Sequence, residues 1–116
     1  MTVRDVMDLT GARLLTPDAA LDREVTAGYA CDMLSWVMGR AQPGMAWITV
    51  QTHLNVIAVA ELIDAACVLL SDCGLVDEAT LQRAVDDGFP LLASKRSAFA
   101  LSGLLWGAGV REPERA

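Results

Sequence analysis

The chain has 116 residues, the length of one domain, and at 53% hydrophobic residues it carries enough apolar material to bury roughly two-thirds of its unfolded surface. Its net charge of −6, with Lys95 the only lysine and no basic run, would repel a phosphate backbone, so nucleic acid is not expected as a partner. The longest apolar runs, residues 56–60 and 65–70, fall far short of the roughly 18 residues that cross a bilayer, and Arg4, Asp5 and Asp8 scatter charge where a secretory leader would be apolar. No membrane contact and a cytoplasmic location are therefore the expectation.

Thr2 and Asp5 fit a capping box, Val3, Val6 and Met7 recur at helical spacing, and Gly11 offers a left-handed stop, so a short helix opens the chain. Residues 12–16 read as a strand and 17–20 as the loop leaving it. Residues 22–29 have no clear period and read as an extended piece with a turn at Gly28. Residues 32–41 form a helix with Met33, Leu34, Val37, Met38 and Ala41 on one face and Asp32, Trp36 and Arg40 on another. The β-branched and aromatic stretch 45–50 is a buried strand, 55–63 a nearly all-apolar helix, and 67–70 the next strand. Asp77 caps a more polar helix presenting Leu81, Ala84 and Val85 inward and ending at Gly88, followed by a short strand over 89–93. Ser94 or Ser97 caps a last helix that buries Leu101, Leu104, Leu105 and Ala108 and ends at Gly109; residues 111–116 are a charged tail. The alternation predicts one compact α/β domain over residues 1–110, with a mostly parallel sheet of about five strands and helices on both faces.

Three polar clusters follow predicted strands and should share one rim, where such sheets bind ligands: Gln51-Thr52-His53-Asn55, Ser71-Asp72, and Ser94-Lys95-Arg96-Ser97. The first and third open helices, whose free N–H groups attract anions, so Gln51, Thr52, His53, Asn55, Ser94, Lys95 and Arg96 are candidate ligand contacts. Thr52, Asn55 or a serine acting only as a helix cap is the plainer alternative. His53 is the only imidazole, with no G-x-S-x-G nucleophile and no acid partner fixed near it, so no catalytic residue is assigned. Neither a phosphate-binding P-loop nor G-x-G-x-x-G is present, and no cofactor is expected. Cys31, Cys67 and Cys73 are odd in number and lack a C-x-x-C pair, which speaks against disulfides and against a metal site. Trp36 either covers part of the core or makes a homodimer contact, and the Gly103/Gly107 step reads first as close helix–sheet contact.

The order Asp22-Arg23-x-x-Thr26-x-Gly28-Tyr29, then Asp32-x-Leu34-Ser35-x-Val37-Met38-Gly39-x-Ala41, then Trp47-Ile48-Thr49-x-Gln51-Thr52-His53-x-Asn55, resembles the DRTGG domain, with Ala27 in place of a glycine. The resemblance spans about Leu14 to Gly109. It implies a domain like the N-terminal part of HPr kinase/phosphorylase and the module of CBS-containing inorganic pyrophosphatases, where the domain regulates or mediates association and catalysis lies elsewhere. Without a P-loop the kinase activity does not carry over. The expectation is a non-catalytic regulatory or ligand-sensing module, a homodimer binding a nucleotide or other small anionic ligand at the Gln51 and Ser94 turns. The alternative is a protein–protein interaction domain in a bacterial redox or energy-metabolism system, since stand-alone relatives resemble proteins encoded near iron-only hydrogenase components.

Overall fold

The structure, a computed structural model, describes residues 1–114; the last two residues of the charged tail lie outside the described part. Ten elements follow one another: α1 Val3–Thr10, β1 Arg13–Leu14, β2 Ala27–Ala30, α2 Leu34–Arg40, β3 Met45–Thr49, α3 Leu54–Leu62, β4 Cys67–Leu70, α4 Glu78–Asp87, β5 Leu91–Ala93 and α5 Ala98–Gly107. The five strands form one sheet in the order β1-β5-β4-β3-β2, with β2 to β5 parallel and β1 antiparallel to β5. The predicted α/β class, the five strands and the helices on both faces are all present.

Every residue of β3, β4 and β5 is buried, which is why these strands read as continuous apolar runs without alternation. Their side chains nonetheless divide by period two. Met45, Trp47, Val68, Leu70, Leu91 and Ala93 meet Val37 of α2, Val56, Ile57 and Ala60 of α3, and Ala84 of α4 on one face. On the other face Ala46, Ile48, Cys67, Leu69 and Leu92 meet Val3 and Val6 of α1 and Leu101 and Leu105 of α5. The three crossovers from β2 to β5 thus lie together on one face, and only the chain leaving β5 passes to the other. Burial pushes the Cys67 thiol up to about 12, so it behaves as an inert apolar group.

Several boundaries differ from expectation, each for a tertiary reason. The turn placed at Gly28 is instead the middle of β2, and an added Cβ there would sit 3.1 Å from Val110 Cγ1; the glycine permits close approach of the chain after α5. The helix expected from Asp32 begins at Leu34, because the Asp32 side chain is bound to the end of β3 and the N-cap Met33 is extended, and Met33 and Met38 are exposed. In the last helix Leu101 and Leu105 are buried, but Ala108 lies past the end of α5 and is exposed. Val85 of α4 is likewise exposed, leaving Thr80 and Ala84 as that helix's buried residues. The stretch read as strand 12–16 retains only Arg13–Leu14 as ladder, extended by the Leu15 N–H to Leu91 carbonyl bond at 2.8 Å.

The aperiodic stretch before β2 is held by side chains of the signature. Arg23 donates to the Asp64 carboxylate at 2.8 Å and to its carbonyl at 3.0 Å, and the Thr26 hydroxyl donates to the Pro43 carbonyl at 2.7 Å. Among the described residues no helix is long and apolar enough to cross a membrane, and no group of three His, Cys, Asp or Glu side chains converges as metal ligands.

Four surface aspartates sit below the usual carboxylate range: Asp5 through the Thr2 backbone N–H, Asp64 through Arg23, Asp77 through the Thr80 side chain, and Asp87 through Glu61 and then Arg83. Glu61 is pushed the other way, first by burial and then by Asp87. The signs are opposite. Glu61 disfavours folding above its raised value and ceases to do so as the pH falls toward 4.5, whereas each aspartate stabilises above 3.8 and loses that contribution as the pH falls through its folded value. The melting temperature should therefore rise slightly from pH 7 toward 4.5 and drop below 3.8, and Glu61→Gln should remove the rise. A flat or falling curve between pH 7 and 4.5 in the unsubstituted chain would contradict this sign.

Candidate functional site

The carboxyl ends of β3, β4 and β5 carry the three polar turns along one rim. The first is organised by Asp32, which follows β2. Its Oδ1 accepts from the Thr49 hydroxyl at 2.8 Å and the Val50 N–H at 2.9 Å, and its carbonyl accepts from Gln51 Nε2. His53 then caps α3, its Nδ1 accepting the Asn55 N–H at 3.1 Å. The cap is thus His53, one residue beyond Thr52. Gln51 and His53 hold the turn together, while the Thr52 and Asn55 side chains make no hydrogen bond within the described residues. The Asp77 carboxyl is lowered first by its hydrogen bonds with Thr80 and, last among its causes, by the nearby His53.

The second turn separates the first from the third. The Ser71 N–H donates to the Thr49 carbonyl at 2.9 Å and the Asp72 N–H to the Arg96 carbonyl at 2.8 Å, so β4 is extended between its neighbours. Two strand spacings, about 10 Å, therefore part the Gln51 turn from the Ser94 turn. The structure places all seven predicted site residues on one rim and does not bring them into one cleft. The Ser71 hydroxyl is fully buried without a hydrogen-bond partner, and strand alternation directs it to the α1/α5 face beside Ser94.

The third turn has a cavity. Ser94 Oγ accepts the Arg96 N–H at 3.0 Å, Arg96 Nε donates to the Thr10 carbonyl at 3.3 Å, and Ser97 caps α5 through the Ala100 N–H at 3.2 Å. The space between this turn and the end of α1 has a volume of about 440 Å³ and is lined by Thr10, Gly11, Arg13, Ser94, Lys95 and Arg96. Arg13 enters because β1 runs antiparallel to β5 and sets it opposite Ala93. Nothing local in the sequence marks Arg13, since the pairing joins residues 80 positions apart. None of the three cations is ion-paired among the described residues, whereas Arg4, Arg23 and Arg83 are.

Two further cavities flank residues 111–114 at the β2 edge. One, of about 240 Å³, is apolar and lined by Tyr29, Ile48, Leu105, Trp106 and Val110; the other, of about 410 Å³, lies against Arg40, Pro113 and Glu114. Trp36 is half-exposed on α2 with the Arg40 guanidinium stacked 4.7 Å from its ring centre.

No family model matches the chain, and no curated protein matches it in sequence. Among solved structures it is similar to the CBS and DRTGG domains of the regulatory region of Clostridium perfringens pyrophosphatase, complexed with the activator diadenosine tetraphosphate. The TM-score is 0.68 at 9% identity, over 90% of this chain and 45% of that one. At that identity the likeness concerns the fold alone, and this chain spans less than half the length of the structure it matches.

Proposed function

We propose that this chain is a non-catalytic regulatory module of the DRTGG type that senses a small anionic ligand, a nucleotide or other phosphorylated metabolite, in the Arg13–Lys95–Arg96 cavity. One observation carries the reading: a chain of net charge −6, with nine basic residues in all, gathers three of them around a single cavity and leaves them without carboxylate partners among the described residues. Like charges so placed repel one another, and beside the N-terminus of α5 they also oppose the helix dipole. An anion removes both penalties and gains charge-assisted hydrogen bonds. Asp72 stands on the rim between the turns, so the phosphate belongs on the β1 side, away from His53. The activator of the fold neighbour, diadenosine tetraphosphate, has the same anionic chemistry.

Titration calorimetry with inorganic phosphate, pyrophosphate, ATP and diadenosine tetraphosphate tests this. At least one should bind, and Lys95→Ala and Arg13→Ala should each weaken it by about tenfold or more, the loss of one charge-assisted contact. His53→Ala should leave binding unchanged while lowering stability by about 1 kcal/mol through its lost cap. Silence toward all four probes, or undiminished binding by Lys95→Ala, would refute the assignment. The interaction-domain alternative draws support from a separate feature, the uncharged outer face of α5.

A further inference from the structure

We infer that the buried Ser71 hydroxyl is a positioning group for the ligand: it turns the Ser94 proton toward the anion and so makes the cavity select a terminal phosphoryl group over a carboxylate. The inference rests on the anion reading of the Arg13–Lys95–Arg96 cavity and names what that cavity prefers.

A hydroxyl without a partner is the exception inside a protein, because a desolvated donor that bonds nothing costs free energy. Ser71 is 1% exposed, and its Oγ has no hydrogen-bond partner among the described residues. Alanine would fill the same place without that cost, so packing alone does not call for a serine. Nor can the side chain move away. The Ser71 N–H is bound to the Thr49 carbonyl at 2.9 Å, while the Ser94 N–H binds the Leu70 carbonyl at 2.9 Å and the Ser94 carbonyl accepts the Cys73 N–H at 2.8 Å. A regular parallel ladder would give that last bond to Asp72, which instead has φ 49 and donates its N–H to the Arg96 carbonyl at 2.8 Å. The bulge at Ser71-Asp72 thus ties the whole Ser94-Lys95-Arg96 turn to the end of β4.

The two hydroxyls stand side by side. Leu70 and Ala93 pair in register and face α3 and α4, so the next residue of each strand faces α1 and α5, about 5 Å apart. Ser94 lines the cavity, and Ser71 is one strand further in. A serine hydroxyl donates one hydrogen bond and accepts two. Ser94 Oγ accepts the Arg96 N–H at 3.0 Å, which leaves one lone pair and its own proton. When Ser71 donates to that lone pair, both acceptor positions are taken and Ser94 can only donate, into the cavity. An anion there completes the chain of bonds, each polarising the next.

This arrangement distinguishes ligands by their free oxygens. A carboxylate has two, which the guanidinium and ammonium groups of the cavity satisfy. A terminal phosphoryl group has a third, and that oxygen meets the Ser94 donor. A carboxylate leaves the hydroxyl pair unsatisfied, which is the basis of discrimination against it.

Titration calorimetry of the whole chain with pyrophosphate and with malonate measures the preference. Pyrophosphate should bind at least about tenfold more tightly. Ser71→Ala should weaken pyrophosphate about three- to tenfold, leave malonate unchanged, and melt no lower than the unsubstituted chain without ligand. Ser94→Ala should lose at least as much, and adding Ser71→Ala to it should change nothing further, since Ser71 acts through Ser94. Lys95→Ala, by contrast, should weaken both anions. If Lys95→Ala weakens pyrophosphate and Ser71→Ala does not, the anion site stands and this inference falls. Equal affinity for the two anions, an equal loss of both in Ser71→Ala, or a lower ligand-free melting temperature for that variant also overturns it. Silence of the unsubstituted chain toward pyrophosphate and ATP alike refutes the cavity and the inference together.

Discussion

Replacing Trp47 by alanine should cost about 3–5 kcal/mol and leave much of the population unfolded, since a small domain has only about 5–15 kcal/mol in total. Trp47 lies in the middle of β3, fully buried, paired in register with Tyr29 on one side and Val68 on the other. Its ring joins the cluster that α2, α3 and α4 share, so truncation opens a cavity that three helices and two neighbouring strands cannot all close. Its indole N–H also donates to the Cys31 carbonyl at 2.8 Å, tying the chain after β2 to the sheet. Trp47→Phe keeps most of the volume and loses this bond, with an expected cost of about 1–2 kcal/mol. Urea unfolding followed by circular dichroism separates the two, and a loss below about 1 kcal/mol for the alanine variant would refute the cavity argument.

Gly44→Ala is the second large effect, expected at about 2–4 kcal/mol. Gly44 has φ 84, in the left-handed region, and an added Cβ would lie 2.8 Å from Thr26 Cγ2 and 3.0 Å from Thr26 Oγ1. Neither neighbour can retreat freely. The Thr26 hydroxyl is bound to the Pro43 carbonyl at 2.7 Å, the Thr26 N–H to the Gly44 carbonyl at 2.9 Å, and the Gly44 N–H to the Asp64 carbonyl at 2.8 Å. Three loops meet at this one residue. Thr26→Ser in the Gly44→Ala background removes the closest carbon and should restore part of the loss, leaving the backbone strain; a double-mutant cycle with no coupling would show that the clash contributes nothing.

The alternation of strand and helix was legible because it is written locally, in buried runs four to five residues long and in caps such as Thr2 with Asp5, Asp77 and Ser97. Features that depend on distant residues were not. Asp32 looked like the start of a helix because its spacing to Trp36 and Arg40 is helical, yet its carboxylate is taken by Thr49 and Val50 from the neighbouring strand. Gly28 looked like a turn because the residue that needs its missing side chain, Val110, lies 82 positions away. The rim was visible as three polar clusters after three strands, but which cluster has a cavity depends on Arg13, brought there by a pairing no spacing reveals. The Asp22-Arg23-x-x-Thr26 stretch behind the family resemblance turned out to be architectural at Arg23 and Thr26, whose side chains bind Asp64 and Pro43.

The two borders of the sheet are finished by segments from opposite ends of the described chain. On one border β1 is only two residues long and antiparallel. On the other, the Gly28 N–H of β2 donates to the Arg111 carbonyl at 2.9 Å, with Pro113 buried beyond it. Strands left open at a border recruit strands from other molecules and seed fibrous aggregates, and short or covered borders block that route. Two copies of this chain therefore have little means of joining by continuing the sheet. Losing the segment from residue 111 onward would reopen such a route along β2 and allow open-ended growth of the sheet.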